Sequence, residues 1–263
     1  MNRKAGIIAE CLCGVDGVDC IDYIADAGFE RTFFGSIDHK ICSDMKNKAD
    51  KRGVKVEFIH APFKGINDLW IAGVDHWKIK NEILQTIDVA SENDIEGIIL
   101  HVSSGWNPPQ VCDIGINRYD QIVEYATKKN VVVAFENLRK VGNLACLMDR
   151  YEKLENVKFC YDCGHEHCYT ATVPMLDLFG DKVVYTHLHD NFGRSYEHEP
   201  DLHLLPFEGD IDYKKMVDKL DSVDYQGSLM LEVNNHNYQN LTKEEFLRKA
   251  YSCYERINAL SEK

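Results

Sequence analysis

Short apolar or β-branched runs alternate along this chain with stretches of helical periodicity. Eight such runs, at residues 6–12, 29–35, 55–60, 97–102, 131–136, 157–162, 183–189 and 228–233, read as strands. Between them the apolar positions follow a helix. Tyr119, Ile122, Val123 and Ala126 fall at i, i+3, i+4 and i+7. Phe246, Leu247, Ala250, Tyr251, Tyr254 and Ile257 repeat that spacing near the end of the chain. Thr242 and Glu245 predict a capping box at the start of this last helix, and Gly28 closes the first helix as a C′ residue. Strands that alternate with helix-length segments imply βαβ units and a parallel sheet. Eight units within 263 residues predict an α/β fold, a single (β/α)8 TIM barrel forming one catalytic domain over 1–263. A doubly wound open sheet is the alternative, but no Gly-x-Gly-x-x-Gly follows the first strand.

Chemistry gathers where the strands end. His60 closes the third strand, His101 the fourth and Glu136 the fifth. Asp162 and His165 follow the sixth, His189 ends the seventh and Glu232 the eighth. The C-terminal strand ends of such a barrel form its active face. Alternation puts Val56, Phe58 and His60 on one side of their strand, as it does Val132, Ala134 and Glu136, and Ser228, Met230 and Glu232. A lone His at a strand end is ordinarily a hydrogen-bonded core residue. Several imidazoles converging on buried carboxylates are another matter, because buried charge requires a partner. The mixture of nitrogen and oxygen donors suits zinc, manganese, cobalt or iron better than calcium, with magnesium less natural than these.

Composition narrows the partners. Thirty basic residues against 43 acidic give a net charge of −13, which argues against nucleic acid as the main partner. One to three bound divalent ions would leave the balance acidic. The hydrophobic fraction is 44% and the mean hydropathy is −0.35. No stretch has the apolar length of a membrane span. The apolar run after Lys4 breaks at Glu10, too early for a secretory signal, so a cytoplasmic protein with no membrane partner is expected. The ten cysteines are scattered, as reduced thiols are. The Cys160-x-x-Cys163 spacing reads as two buried thiols, with Cys160 pointing into the barrel below Asp162.

Four segments carry a resemblance: Glu136-Asn137, Asp162-Cys-Gly-His165, His187-Leu-His189-Asp190, and the run from Asp201-Leu-His203 to Ile211. With these, the chain from Ile7 to about Asn235 resembles the xylose isomerase-like barrels. That superfamily includes sugar and sugar-phosphate isomerases and epimerases, inosose dehydratases and the endonuclease IV class of repair nucleases. The resemblance to its ketose epimerases implies one divalent ion held by Glu136, Asp162, His189 and Glu232. It also makes the two glutamates acid and base, and puts His165 on a substrate oxygen. The resemblance to the nucleases implies up to three ions. His60 and His101 would join Glu136 at one of them, and His165, Asp201 and His203 would form another. A homodimer is also expected from the resemblance. Two departures weigh against a ketose 3-epimerase. Ser195 stands where those enzymes carry an Arg six residues after the metal His, with Arg194 one place earlier, and Gly142 stands in place of their second Glu.

The first functional reading is a metal-dependent isomerase or epimerase of a small carbohydrate. Glu136 or Glu232 would take a proton from the carbon beside a carbonyl, giving an enediolate, and its counterpart would return it. A dehydratase starting with the same step is a close variant. The second reading is a zinc phosphodiester hydrolase of the endonuclease IV class. It accounts for the extra ligands but lacks a basic stripe for DNA. A metal-storing barrel is the third. Trp106, on the loop after the fourth strand, is a candidate for stacking on a sugar ring, alongside the plainer reading of a rim aromatic. Arg194 and Arg139 are candidates for a phosphate, against surface charges. Glu10 faces the mouth or bonds a backbone amide. His187 is left to the core, and His39, His76, His167, His198 and His236 receive no role.

Overall fold

The computed structural model describes residues 2–194 and 200–262, so Ser195 and His198 lie outside the described residues. Eight parallel strands form one sheet: β1 (Ala5–Ile8), β2 (Arg31–Phe34), β3 (Lys55–His60), β4 (Gly97–His101), β5 (Val132–Glu136), β6 (Val157–Asp162), β7 (Val183–His187) and β8 (Leu229–Leu231). Hydrogen bonding runs β7-β6-β5-β4-β3-β2-β1-β8. The two ends of this sheet meet through the residue that follows β7. Leu188 donates to Met230 at 2.8 Å and accepts from Glu232 at 3.0 Å. The Thr186 hydroxyl extends the seam by donating to Ser228 O and accepting from Met230 N. The predicted TIM barrel is the observed fold.

Helices cover the outside: α1 (Gly17–Asp26), α2 (His39–Arg52), α3 (His76–Glu92), α4 (Asp113–Lys128), α5 (Val141–Arg150), α6 (Cys163–Tyr169), α7 (Met175–Phe179), α8 (Tyr213–Ser222) and α9 (Lys243–Asn258). Their starts are set by side chains that accept otherwise unpaired amides. Asp16 caps α1, Asp38 caps α2, and Thr242 with Glu245 forms the predicted capping box of α9. Gly28 follows the end of α1 at φ +97°, a conformation that disfavours any side chain, and its N–H satisfies Ala25 O.

The apolar residues divide between two clusters. The larger fills the space between sheet and helices, and the smaller fills the barrel: Phe33, Phe58, Ile99, Ala134, Cys160, Tyr185 and Met230. Phe33 and Phe58 stack with centroids 4.7 Å apart and make an aromatic floor below the strand ends. One expected face is corrected here. Val56 belongs to the outer cluster, not to the face of Phe58 and His60. The pairing of β2 with β3 slips between Thr32 and Phe33, placing Phe58 opposite Phe33. The extra residue, Glu57, ends at the base, where it meets Arg31 at 3.1 Å and accepts from the Ser228 hydroxyl at 2.5 Å. A bulge of this kind reverses the facing of every residue before it.

All ten cysteines are free. Cys160 lies in the barrel and Cys163 in the outer cluster, as two separate buried thiols. Among the described residues, no helix is long and apolar enough to cross a membrane.

Candidate metal centre

Five consecutive strands end on a polar side chain: His60 on β3, His101 on β4, Glu136 on β5, Asp162 on β6 and His187 on β7. Glu232 follows β8 by one residue. His165 sits in the first turn of α6, where Asp162 Oδ1 accepts its backbone N–H at 2.6 Å. Asp201 and His203 arrive on the segment after β7. That segment is pinned by a two-way backbone pair between Leu204 and Asp190. His203 adopts φ +46°, and such a left-handed non-glycine residue costs about 1 kcal/mol or more. Its Nδ1 bond to Glu232 O, 2.8 Å long, helps hold it there.

Positioning residues surround this set. Asn137 Nδ2 donates to Asp162 O while its Oδ1 accepts from Asp162 N, both at 2.8 Å, locking the ends of β5 and β6 together. Asp190 collects the N–H groups of Asn191, Phe207 and Ile211. Asn191 ties that loop to Gly164 O. The motif residues Asn137 and Asp190 were visible in the sequence, but their task of orienting neighbours was not.

The donor atoms form adjoining groups: His60, His101 and Glu136; Glu136, Asp162, His187 and Glu232; His60, His187 and Glu232; and His165, His189, Asp201 and His203, each group within 4.8 Å. Glu136 Oε2 lies 3.3 Å from His60 Nε2 and 3.0 Å from His101 Nε2. Its Oε1 lies 3.0 Å from His165 Nδ1 and 3.3 Å from His187 Nδ1. His187 Nδ1 is also 3.4 Å from Glu232 Oε2 and 3.8 Å from Asp162 Oδ2. Two ligands each about 2.1 Å from a tetrahedral ion stand roughly 3.4 Å apart. The spacings observed are those of coordination-polyhedron edges.

Tautomers sharpen the point. Nδ1 of His60 lies 2.9 Å from Ala61 O, and His203 Nδ1 lies 2.8 Å from Glu232 O. A carbonyl only accepts, so each Nδ1 carries the hydrogen. In the neutral ring, the Nε2 lone pair then faces a carboxylate: Glu136 for His60, and Asp201 at 3.4 Å for His203. Two lone pairs cannot face each other this closely unless a proton or a metal ion lies between them. Backbone carbonyls that fix a histidine tautomer in this way are usual behind metal-ligating imidazoles.

Without metal, several of the surrounding imidazoles hold protons instead. Burial alone would depress His165, His187 and His203, yet the carboxylates outweigh it. Asp162, Asp201 and Glu136 raise His165 well above its usual value. Glu232 and Glu136 raise His187 to about 9, and Asp201 and Glu232 raise His203 to about 10. Burial opposes charge on Glu136 too, but His101 and His187 hold it well below the carboxylate range. His101 is the exception, depressed by burial. His187 Nε2 and His189 Nδ1 are buried without a hydrogen-bond partner among the described residues. Orphaned donors and a mixed imidazole–carboxylate set fit a divalent ion.

The structure brings His187, rather than the expected His189, to Glu136, Asp162 and Glu232. His187, left to the core in the sequence reading, lies deeper than His189 and level with Asp162. The β6–β7 pairing slips after Phe159, setting His187 directly across from Asp162, and β7 ends there. His189, two residues further on, stacks on His203 at 3.9 Å and reaches Asp162 Oδ1 at 3.2 Å. Gly164 explains its place. A Cβ at that position would stand 2.0 Å from the His189 ring. Gly164→Ala is therefore expected to displace the ring and cost about 1–3 kcal/mol of stability, as overpacking does. Thermal unfolding indistinguishable from wild type would refute that packing.

At the rim, Glu10 Oε1 accepts from Gly35 N at 3.1 Å and the residue also lines a cavity at the mouth. Trp106 is 52% exposed. Two guanidinium groups lie over its ring, with Arg139 Cζ 5.0 Å and Arg194 Cζ 5.2 Å from the centroid.

Residues 13–255 match the model of a family described as xylose isomerase-like TIM barrel. An uncharacterized protein of Sinorhizobium fredii is 27% identical over 188 residues, 66% of this chain and 58% of that protein, so the match spans little more than half of the relative's length. A structure of D-allulose 3-epimerase from Methylomonas sp. with D-allulose superposes with a TM-score of 0.74 at 13% identity, covering 97% of this chain and 98% of that one. The 3-keto-D-glucoside 4-epimerase of E. coli gives 0.72 at 13%, covering 97% and 99%. At such identities the structural matches speak for the fold alone.

Proposed function

Because the chain belongs to the xylose isomerase-like TIM barrel family, we propose that it is a metal-dependent isomerase or epimerase of a small polyhydroxy carbonyl compound, acting as one catalytic domain. The observation that carries this reading is a cavity of about 470 Å³ opening on Glu232 and His60, walled by Ile8, Phe33, Pro62 and Phe63. That volume suits a small ligand. The chain's net charge of −13 weighs against a nucleic-acid duplex.

Glu136, Asp162, His187 and Glu232 would hold the principal ion. His60 and His101 with Glu136, and His165, His189, Asp201 and His203, could hold others. A divalent ion there supplies Lewis acidity to the carbonyl and neighbouring hydroxyl oxygens. The protein's own contribution centres on Glu232, whose side chain is 16% exposed against 1% for Glu136. Glu232 borders the cavity and moves the proton at the carbon beside the carbonyl. Glu136, expected from the sequence to share the acid–base work, has both oxygens turned to imidazoles and in this reading holds the centre together. His165 stays on a substrate oxygen, oriented by Asp201 at 3.2 Å. The apolar walls exclude the water that would otherwise reprotonate the carbanion at random.

One observation favours a second reading, a phosphodiester hydrolase: the donor groups adjoin, sharing Glu136 and linked through Asp162, as a multi-ion hydrolase requires. Incubation with ketoses in heavy water separates the two. Metal-dependent deuterium incorporation beside the carbonyl is expected, read by NMR. Cleavage of an abasic-site duplex with no exchange into any sugar would replace the isomerase reading with the hydrolase.

A further inference from the structure

Arg139, Arg194, Trp106 and Tyr169 come from four different segments, following β5, β7 and β4 and closing α6, yet they meet at one side of the mouth. Arg139 Cζ lies 3.7 Å from the Tyr169 ring centroid and 5.0 Å from that of Trp106, and Arg194 approaches the same indole at 5.2 Å. Trp106 and Tyr169 pack edge to face at 5.5 Å. We propose that Arg139 and Arg194, held on the Trp106 ring, form a phosphate-binding subsite, so that the substrate is a phosphorylated sugar. This rests on the isomerase reading above and adds the substrate's charged end to it.

In this acidic chain Arg3, Arg31, Arg52 and Arg150 each meet a carboxylate. Among the described residues Arg139 and Arg194 share with Arg118, Arg248 and Arg256 the lack of a carboxylate partner, but these two stand at the mouth. Arg139 donates through Nη2 to the Tyr169 hydroxyl, and its Nε is buried without a partner among the described residues. Stacking on aromatic faces fixes a guanidinium plane and leaves its N–H edge for a bidentate oxyanion. A dianion would satisfy both forks, whereas a neutral sugar would leave two cations unmatched.

The spacing fits as well. Tyr169 Oη donates to Asp201 Oδ2 at 3.1 Å. Arg139 therefore stands two hydrogen bonds, at most about 6 Å, from Asp201 of the candidate ligand set. That is about the separation between the phosphate and the reacting carbons of a small ketose phosphate. A phosphate seated on Arg139 would thus leave those carbons near Asp201, one hydrogen bond beyond Tyr169.

The test titrates metal-loaded protein with inorganic phosphate, followed by tryptophan fluorescence and calorimetry. Saturable binding is expected, weakened about tenfold or more by Arg139→Met and by Arg194→Met, as loss of a charge-assisted bond predicts. The fluorescence change should vanish in Trp106→Phe. Affinity indifferent to both arginine variants would overturn the subsite, as would binding abolished by chelation alone, which would place phosphate on the ions. In turnover, Arg139→Met should raise KM for a ketose phosphate more than it lowers kcat. If unphosphorylated ketoses react with a KM insensitive to Arg139, the subsite fails and the isomerase stands. If phosphate binds as expected but no sugar phosphate exchanges its hydrogen, the isomerase reading fails alone.

Discussion

Glu136→Gln is expected to strip divalent metal from the protein and reduce turnover to background. The side chain is fully buried, and its two oxygens face His60, His101, His165 and His187 at 3.0–3.3 Å. An amide offers one oxygen and no charge to those four imidazoles. Loss of an outer-shell partner costs a metal site about 10–100-fold in affinity, and removing the carboxylate that joins two donor groups should exceed that. The chelated protein should suffer too. The carboxylate balances protonated imidazoles, and breaking a buried pair leaves an uncompensated charge worth about 3–5 kcal/mol. Denaturant unfolding of chelated wild type and variant measures this loss. Equal stability together with retained metal would remove Glu136 from the centre.

Glu232→Gln should behave differently. This side chain borders the cavity and touches His187 and His203 through one oxygen, at 3.4 and 3.7 Å. The variant should keep its fold and a substantial part of its metal, yet lose about 10²–10⁴-fold in hydrogen exchange beside the carbonyl, the usual worth of a positioned base. Exchange at the wild-type rate would place the base elsewhere. The contrast between the two variants separates holding the ions from moving the proton.

Much of this was legible in the sequence for a simple reason. Strand alternation and helical spacing are local, so eight strands, the direction of Glu136 and the capping box of α9 follow from neighbours in the chain. Register is not local. The slip between β6 and β7 sets His187 level with Asp162, and nothing within residues 183–189 reports it. His189 was expected there from the resemblance, whereas the register sets His187 in that place. Glu57 is the same lesson at the base of the barrel, since the irregularity that turns Val56 outward depends on how β2 pairs with β3. The rim was least legible. Trp106, Arg139 and Arg194 lie on separate loops whose paths no periodicity constrains, and singly each resembles an ordinary surface residue.

The central claim is that these imidazoles and carboxylates hold metal. Elemental analysis of purified protein, per chain and before and after chelation, tests it most directly. The account predicts one to three divalent ions per chain in the wild type, lost on chelation together with activity and largely absent from Glu136→Gln. A folded, active chain carrying no metal would contradict it.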